Sequence, residues 1–436
     1  MSLMNTLRIS NGRVIDPANN LDAVTDVWIQ NGKIHAIGTQ SDWQPAETID
    51  ASGKIVCPGL MDMHVHLREP GSEEDETIAT GTWAALAGGF TSVACMPNTN
   101  PPIETQAAAE FVYLQAKRAD RANVFPIGAI TKVRKGEELA EIGGLVEGGA
   151  VAFSDHDMPV VSAETMRRAL EYCRMFDKPV LSHAEDLNLT RHGVMNEGFE
   201  SMRLGMRGMP AAAEEVIIFR DLELARLTKG RLHILHVSTA GGVELIRRAR
   251  NDGIRVTAEV CPHHFTLTDT LMRELDSRFK MSPPLRTDSD REAVLDGLKD
   301  GTLDVIVSDH SPLAPEKTVL ELDQTPFGVI GMETLLPVCI RALILPGVLT
   351  WPQLIEKLTV HPSRILGLDR GSLAPGKVAD VTIIDPDAQW TVDVHKFHSK
   401  GRNCPFDGWQ VHGRAEVVIV GGEVKYRNEN RGELVN

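Results

Sequence analysis

The sequence predicts an α/β protein: a closed (β/α)₈ barrel of the TIM type, joined to a small β-sandwich domain that both termini build. Three observations predict it. Short apolar runs alternate with helix-period segments through the middle of the chain, nearly every run ends in a residue capable of chemistry, and both ends are strand-rich. Strand–helix alternation implies a parallel sheet. Barrel enzymes gather reactive groups at the C-terminal ends of several strands. At 436 residues the chain exceeds one ordinary core and accommodates a large and a small domain.

Residues 1–57 read as strands throughout. Asn11-Gly12 and Asn31-Gly32 each sit between β-prone runs, and Asn-Gly is the strongest short hairpin signal. Residues 58–371 form the barrel, with strands expected at MDMHVHL, TSVACMP, VFPIGAI, AVAFSD, PVLSHAED, LHILHVS, VTAEVCPHH and DVIVSDH. Helical periodicity lies between them, for example at 164–173, 214–227 and 332–343. A doubly wound open sheet is the alternative, but no GxGxxG turn follows the first strand. Residues 372–436 return to strands, with VADVTIID, AEVVIV, a Gly421-Gly422 turn and EVKY, and complete the β domain begun by residues 1–57.

Lys and Arg number 45 against 60 Asp and Glu, a net charge of −15, so no basic field draws in nucleic acid. Six scattered cysteines without a CxxC pair read as buried thiols of a reducing compartment. The N-terminus lacks the basic and apolar regions of a signal peptide. The apolar region 329–349 is too interrupted to span a membrane. A cytoplasmic protein is expected.

The first barrel strand carries His64-Val65-His66, and residues two apart on a strand share a face. Among 15 histidines one such pair is weak evidence. A single strand-end His or Asp is more often a core histidine or a helix cap. Here four strand ends carry such residues: His64 and His66, His183 in LSHAED, His236 in HVS, and Asp309 in SDH. That mixture of imidazole and carboxylate suits Zn²⁺ or a similar divalent metal. His263 and His264 end strand seven, and at least one of them is expected only to support the metal ligands.

PGLMDMHVHLREPG, CMPNTNPP, LSHAED, HVSTAGG, CPHHFTL, PPLR and HPSRILGL…GSLAPGKVADVTIID resemble the amidohydrolase superfamily, and HVHLREPG with MPNT is similar to the dihydroorotases. The resemblance covers essentially the whole chain. It implies reversible hydrolysis of cyclic, anionic dihydroorotate to N-carbamoyl aspartate in pyrimidine synthesis. It implies that His64 and His66 bind one metal, that His183 and His236 bind a second, and that Asp309 ligates the first and acts as general base. His66, Arg68, Asn98, Ser282 and the position of Leu313 fall at substrate contacts, with Arg68 and Asn98 on the carboxylate and the backbone at Phe327-Gly328 on the ring. A homodimer is expected, and association with aspartate transcarbamoylase is open.

The sequence departs from the family at three places. Strand four reads Phe153-Ser154-Asp155-His156-Asp157, which sets His156 where the family has a bridging carboxylate. A neutral imidazole offers one lone pair and cannot bridge two metals. Leu313 replaces a histidine that touches substrate, and Ser282 replaces an asparagine. One tight zinc on His64, His66 and Asp309, completed by His156 or by a re-aimed Asp155 or Asp157, is therefore expected, with a second on His183 and His236 weak or absent. Two further readings stay open: another cyclic amidohydrolase, such as a hydantoinase or allantoinase, and a weakly active or inactive homologue retained as a structural partner of aspartate transcarbamoylase.

Overall fold

The computed structural model describes residues 6–39 and 44–428. Residues 1–5, 40–43 and 429–436 of the two terminal segments lie outside the described residues.

Eight parallel strands, Leu60–Val65, Phe90–Cys95, Asn123–Gly128, Ala152–Phe153, Pro179–Ser182, Arg231–Ile234, Val256–Val260 and Val305–Ile306, follow one another in sequence order, each beside the next. Each falls on one of the eight expected apolar runs. A parallel bridge joins Val65 to His310, and the His66 N–H donates to the His310 carbonyl at 2.8 Å, so the end of the eighth strand meets the first. Along the strands, Val93, Val124, Val180 and Ile306 pack in the cluster that contains the helices. Their neighbours Ala94, Ile127, Leu181 and Val305 form a separate core inside the barrel. This is the period-two burial of a sheet covered on both faces.

The helices begin where the sequence supplies a cap. Thr77, Thr105, Ser162, Thr239 and Thr287 each accept a hydrogen bond from the backbone N–H three residues on, worth about 1 kcal/mol apiece. Two expected helical segments lie within Ala163–Met175 and Ala211–Thr228. The third starts later, as Leu335–Cys339, and continues as a π turn over Ile340–Ile344.

Both termini supply one eight-stranded sheet. Its two halves join where Ile55–Pro58 pairs antiparallel with Val381–Thr391. Ile9, Val27, Ile29, Val56, Val381, Ile383, Val417 and Ile419 form its core. Asn31-Gly32 makes the expected hairpin turn with both residues at positive φ, 50° and 76°. Asn11-Gly12 does not. It lies inside the single strand Thr6–Asp16 as a bulge, with a register shift between Ile9 and Gly12. A side chain at Gly12 would come within 2.5 Å of Val56, so the glycine there serves close packing rather than a turn.

All six cysteines are free and buried. Among the described residues no helix is long and apolar enough to cross a membrane.

Candidate active site

The C-terminal ends of the strands open onto a cavity of about 530 Å³. In the first strand a register irregularity between Asp62 and Val65 spans His64, which with His66 forms a buried pair whose ring centroids are 5.5 Å apart. Asp309 Oδ1 lies 3.3 Å from Nε2 of each ring. His156 completes the group, its ring 5.0 Å from that of His64 and 4.3 Å from that of His66. One donor atom from each of His64, His66, His156 and Asp309 lies within 4.8 Å of the others. His156, His183 and His236 form a second such group. His156 belongs to both.

Arg68, His156, His236 and Asp309 all have positive φ, 61°, 47°, 34° and 49°. Non-glycine residues adopt that region rarely, and such strain clusters where function over-determines the backbone. At strand four it turns His156 inward and its neighbours away. The Asp155 carboxylate accepts from the N–H groups of Ile130 (2.8 Å) and Thr131 (3.0 Å) and from the Thr131 hydroxyl. Asp157 pairs with Arg134 at 2.5 Å on the cavity rim. Neither aspartate belongs to either donor group.

The electrostatics follow from burial against charge. Burial lowers the His64 imidazole, but the carboxylates of Glu259 and Asp309 outweigh it and raise the group to about 9. Burial carries His66 down to about 4, and it holds His156 and His236 well below their ordinary value, beside other imidazoles. Burial alone would raise the Asp309 carboxyl. The surrounding histidines 64, 66 and 236 win and hold it well below the usual carboxylate range.

Of the expected substrate contacts, all but His66 line the same cavity. Arg68, Asn98, Ser282, Leu313, Phe327 and Gly328 line it together with His156, His183 and Asp309. The Arg68 guanidinium donates to the Ser311 hydroxyl (2.6 Å) and the Pro312 carbonyl (3.3 Å), which uses two of its five donors and fixes its plane. Asn98 Oδ1 lies 2.8 Å from His66 Nδ1, so this side chain also orients a metal-site ring. Leu313 is a buried apolar wall. Gly328 has its N–H on the Lys280 carbonyl and its own carbonyl on Asn403, and Phe327 lines the cavity beside it.

Three participants were not anticipated. Glu259 sits in the buried strand VTAEV, and a carboxylate inside an apolar run is the signal that marks it. Glu185 Oε2 is 2.7 Å from His183 Nε2 and receives Ser282 Oγ at 3.4 Å. Asn403 reaches in from the C-terminal segment. Its amide donates to the carbonyls of Ser311 (3.0 Å) and Gly328 (2.9 Å), and its oxygen accepts from Leu313 N–H (3.3 Å). No local pattern points to it. His263 and His264 form their own group with Cys261.

Solved structures share this architecture. An L-hydantoinase (dihydropyrimidinase) from Arthrobacter aurescens superposes with a TM-score of 0.87 at 26% identity, over 96% of this chain and 95% of that one. A dihydropyrimidinase from Brevibacillus agri gives 0.86 at 25%, over 97% and 95%. Fold and site together define a metal-dependent cyclic amidohydrolase. A dihydro-orotase-like family model matches residues 53–241. Dihydroorotases from Geobacter metallireducens (51% identical, 97% of this chain and 99% of that protein) and Pelotomaculum thermopropionicum (52%, 96% and 98%) align almost end to end. The chain belongs to the dihydroorotase family.

The site fits the metal this class requires. His156 Nδ1 and His236 Nδ1 are buried without a hydrogen-bond partner, and His64 Nε2 has only the Asp309 carboxylate 3.3 Å away; an unanswered buried polar atom costs about 1–3 kcal/mol. A divalent cation answers several imidazoles at once.

Proposed function

We propose that the protein hydrolyses dihydroorotate reversibly to N-carbamoyl aspartate, in the cytoplasm, using zinc. The observation that carries the reading is the meeting of Arg68 and Asn98 with Asp309 and His156 in one cavity, because an anionic cyclic amide needs a cation for its carboxylate beside a hydrolytic centre.

His64, His66, His156 and Asp309 hold the tight ion in this reading, and imidazole with carboxylate suits zinc. When bound, the metal supplies Lewis acidity toward the amide carbonyl and lowers the pKa of water from about 15.7 toward 7. His183 and His236 form the weaker position. His183 Nδ1 is already 2.8 Å from His236 Nε2, and its Nε2 is on Glu185, so a metal there must break existing hydrogen bonds.

The rest of the work falls to the chain's own groups. Asp309 is held ionised by the neighbouring histidines, the form that accepts the proton of the attacking water and returns it to the departing amide nitrogen. Arg68, its plane fixed by Ser311 and Pro312, presents the remaining donors of its fork to the substrate carboxylate, a geometry lysine lacks. Asn98 orients the His66 ring and adds a second polar contact. Leu313 excludes water on the side where the family places a histidine.

A substrate panel tests the reading. Purified, zinc-loaded protein should turn over dihydroorotate and leave hydantoin, dihydrouracil and allantoin nearly untouched. Faster opening of a neutral ring would reassign it to another cyclic amidohydrolase.

A further inference from the structure

The end of the seventh barrel strand carries a third set of donors that the catalytic reading leaves unused. Strand Val256–Val260 runs into Cys261, which caps the one-turn helix Pro262–Thr266 holding His263 and His264. One donor atom from each of Cys261, His263 and His264 lies within 4.8 Å of the other two, and all three side chains are buried. None of the three belongs to the catalytic groups, which contain no sulfur.

The hydrogen bonding shows which atoms are available. His264 Nε2 lies 3.0 Å from the Pro283 carbonyl oxygen. A carbonyl only accepts, so Nε2 carries the ring proton and Nδ1 is a bare lone pair. That Nδ1 is buried with no partner, and so is His263 Nε2. The two rings sit 4.3 Å apart at 65°. Burial holds both imidazoles below their ordinary value, so uptake of a proton does not answer the orphaned atoms. Cys261 packs in the barrel core with Met63, Leu235 and Val307. Burial first, and then the charges of Asp309, Glu259 and Asp62, oppose a bare thiolate there. The same negative field favours a cation beside the sulfur.

We propose that Cys261, His263 and His264 form a separate binding site for one thiophilic divalent cation, zinc above others. On binding, the Cys261 thiol releases its proton to solvent and the thiolate joins two imidazole lone pairs as ligands, a donor set matched to zinc. The site rests on atoms independent of the hydrolytic reading, so either can fail without the other.

Cobalt(II) distinguishes the sites, because only a sulfur ligand gives an intense thiolate-to-cobalt charge-transfer absorption. The full-length protein, stripped and saturated with cobalt(II), should show that band and bind one equivalent more than the catalytic groups account for. Cys261→Ser should abolish the band and lose that equivalent. His264→Gln, which keeps a donor for Pro283, should weaken cobalt binding at this site at least tenfold and covers the case in which the serine variant does not fold. Absence of the band from the saturated wild-type protein overturns the proposal, and so does a band that survives Cys261→Ser.

Discussion

Glu259 Oε1 lies 2.5 Å from Nδ1 of His64, with both side chains fully buried. The other oxygen of the same carboxylate is 3.1 Å from His233 Nε2. One buried anion thus fixes the His64 ring and aims its Nε2 toward Asp309 Oδ1, 3.3 Å away. Such carboxylate–histidine pairs raise the basicity of the ligating nitrogen. Glu259→Gln keeps the shape and removes the charge. Metal affinity should fall about 10–100-fold, read by competition with a chromophoric chelator. Unchanged affinity would show that the carboxylate only fills space.

Asp309→Asn removes an anionic ligand and the proton acceptor at once. The value of kcat should fall by about 10²–10⁴. If the variant, loaded with zinc, kept more than about a tenth of wild-type kcat, the general-base role would be untenable.

Asn403 ties together Ser311, Leu313 and Gly328, and Ser311 in turn holds Arg68. Asn403→Asp leaves the carbonyls of Ser311 and Gly328 facing a carboxylate in place of two N–H donors. Steady-state kinetics should show KM for dihydroorotate raised about tenfold, equivalent to ~1.4 kcal/mol, with kcat within about twofold. Equal losses in both parameters would point to general disruption instead.

The contrast between Asn403 and the histidines shows what was legible in the sequence. His64, His66, His183, His236 and Asp309 stand at strand ends in a regular alternation, so periodicity alone puts them on one rim. Glu259 carried a readable sign, a carboxylate within a buried strand. Asn403 carried none, because its partners lie 75–92 residues away and meet it only when the C-terminal sheet docks on the barrel. Asn11-Gly12 failed in the opposite sense. Its turn chemistry is genuine, with Asn11 at φ 61°, but Val56 packs against Gly12 and the strand absorbs the pair as a bulge.

Asp62 links the site to stability. It is fully buried, accepts backbone N–H groups of His64 and Ser308 at 3.2–3.3 Å, and burial raises its carboxyl to about 7. In the unfolded chain that group titrates near 3.9. Between these values the native state holds more protons, so its contribution is full below about pH 4 and is lost as pH rises through about 7. In metal-free protein Asp62→Asn should flatten the fall in stability over this window by up to ~1.4 kcal/mol per pH unit. Urea midpoints that run parallel for the two proteins from pH 4.5 to 7.5 would rule the effect out.

His156 decides how many ions the centre holds. It is the one residue common to both donor groups, yet an imidazole bears no charge to offset two dications about 3.5 Å apart. Asp155 is committed to Ile130 and Thr131 and Asp157 to Arg134, so neither supplies the missing anion without breaking those bonds. Protein purified without added metal should therefore carry close to one zinc in the catalytic groups, counted by elemental analysis on a Cys261→Ser background so that sulfur-bound metal is excluded. His156→Asp introduces the bridge and should raise the count toward two. Leu313→His on top of it restores a polar contact at the cavity wall and should raise kcat/KM for dihydroorotate further. Two full-occupancy ions in the catalytic groups with His156 intact would refute the single-ion reading and require Asp155 or Asp157 to swing inward.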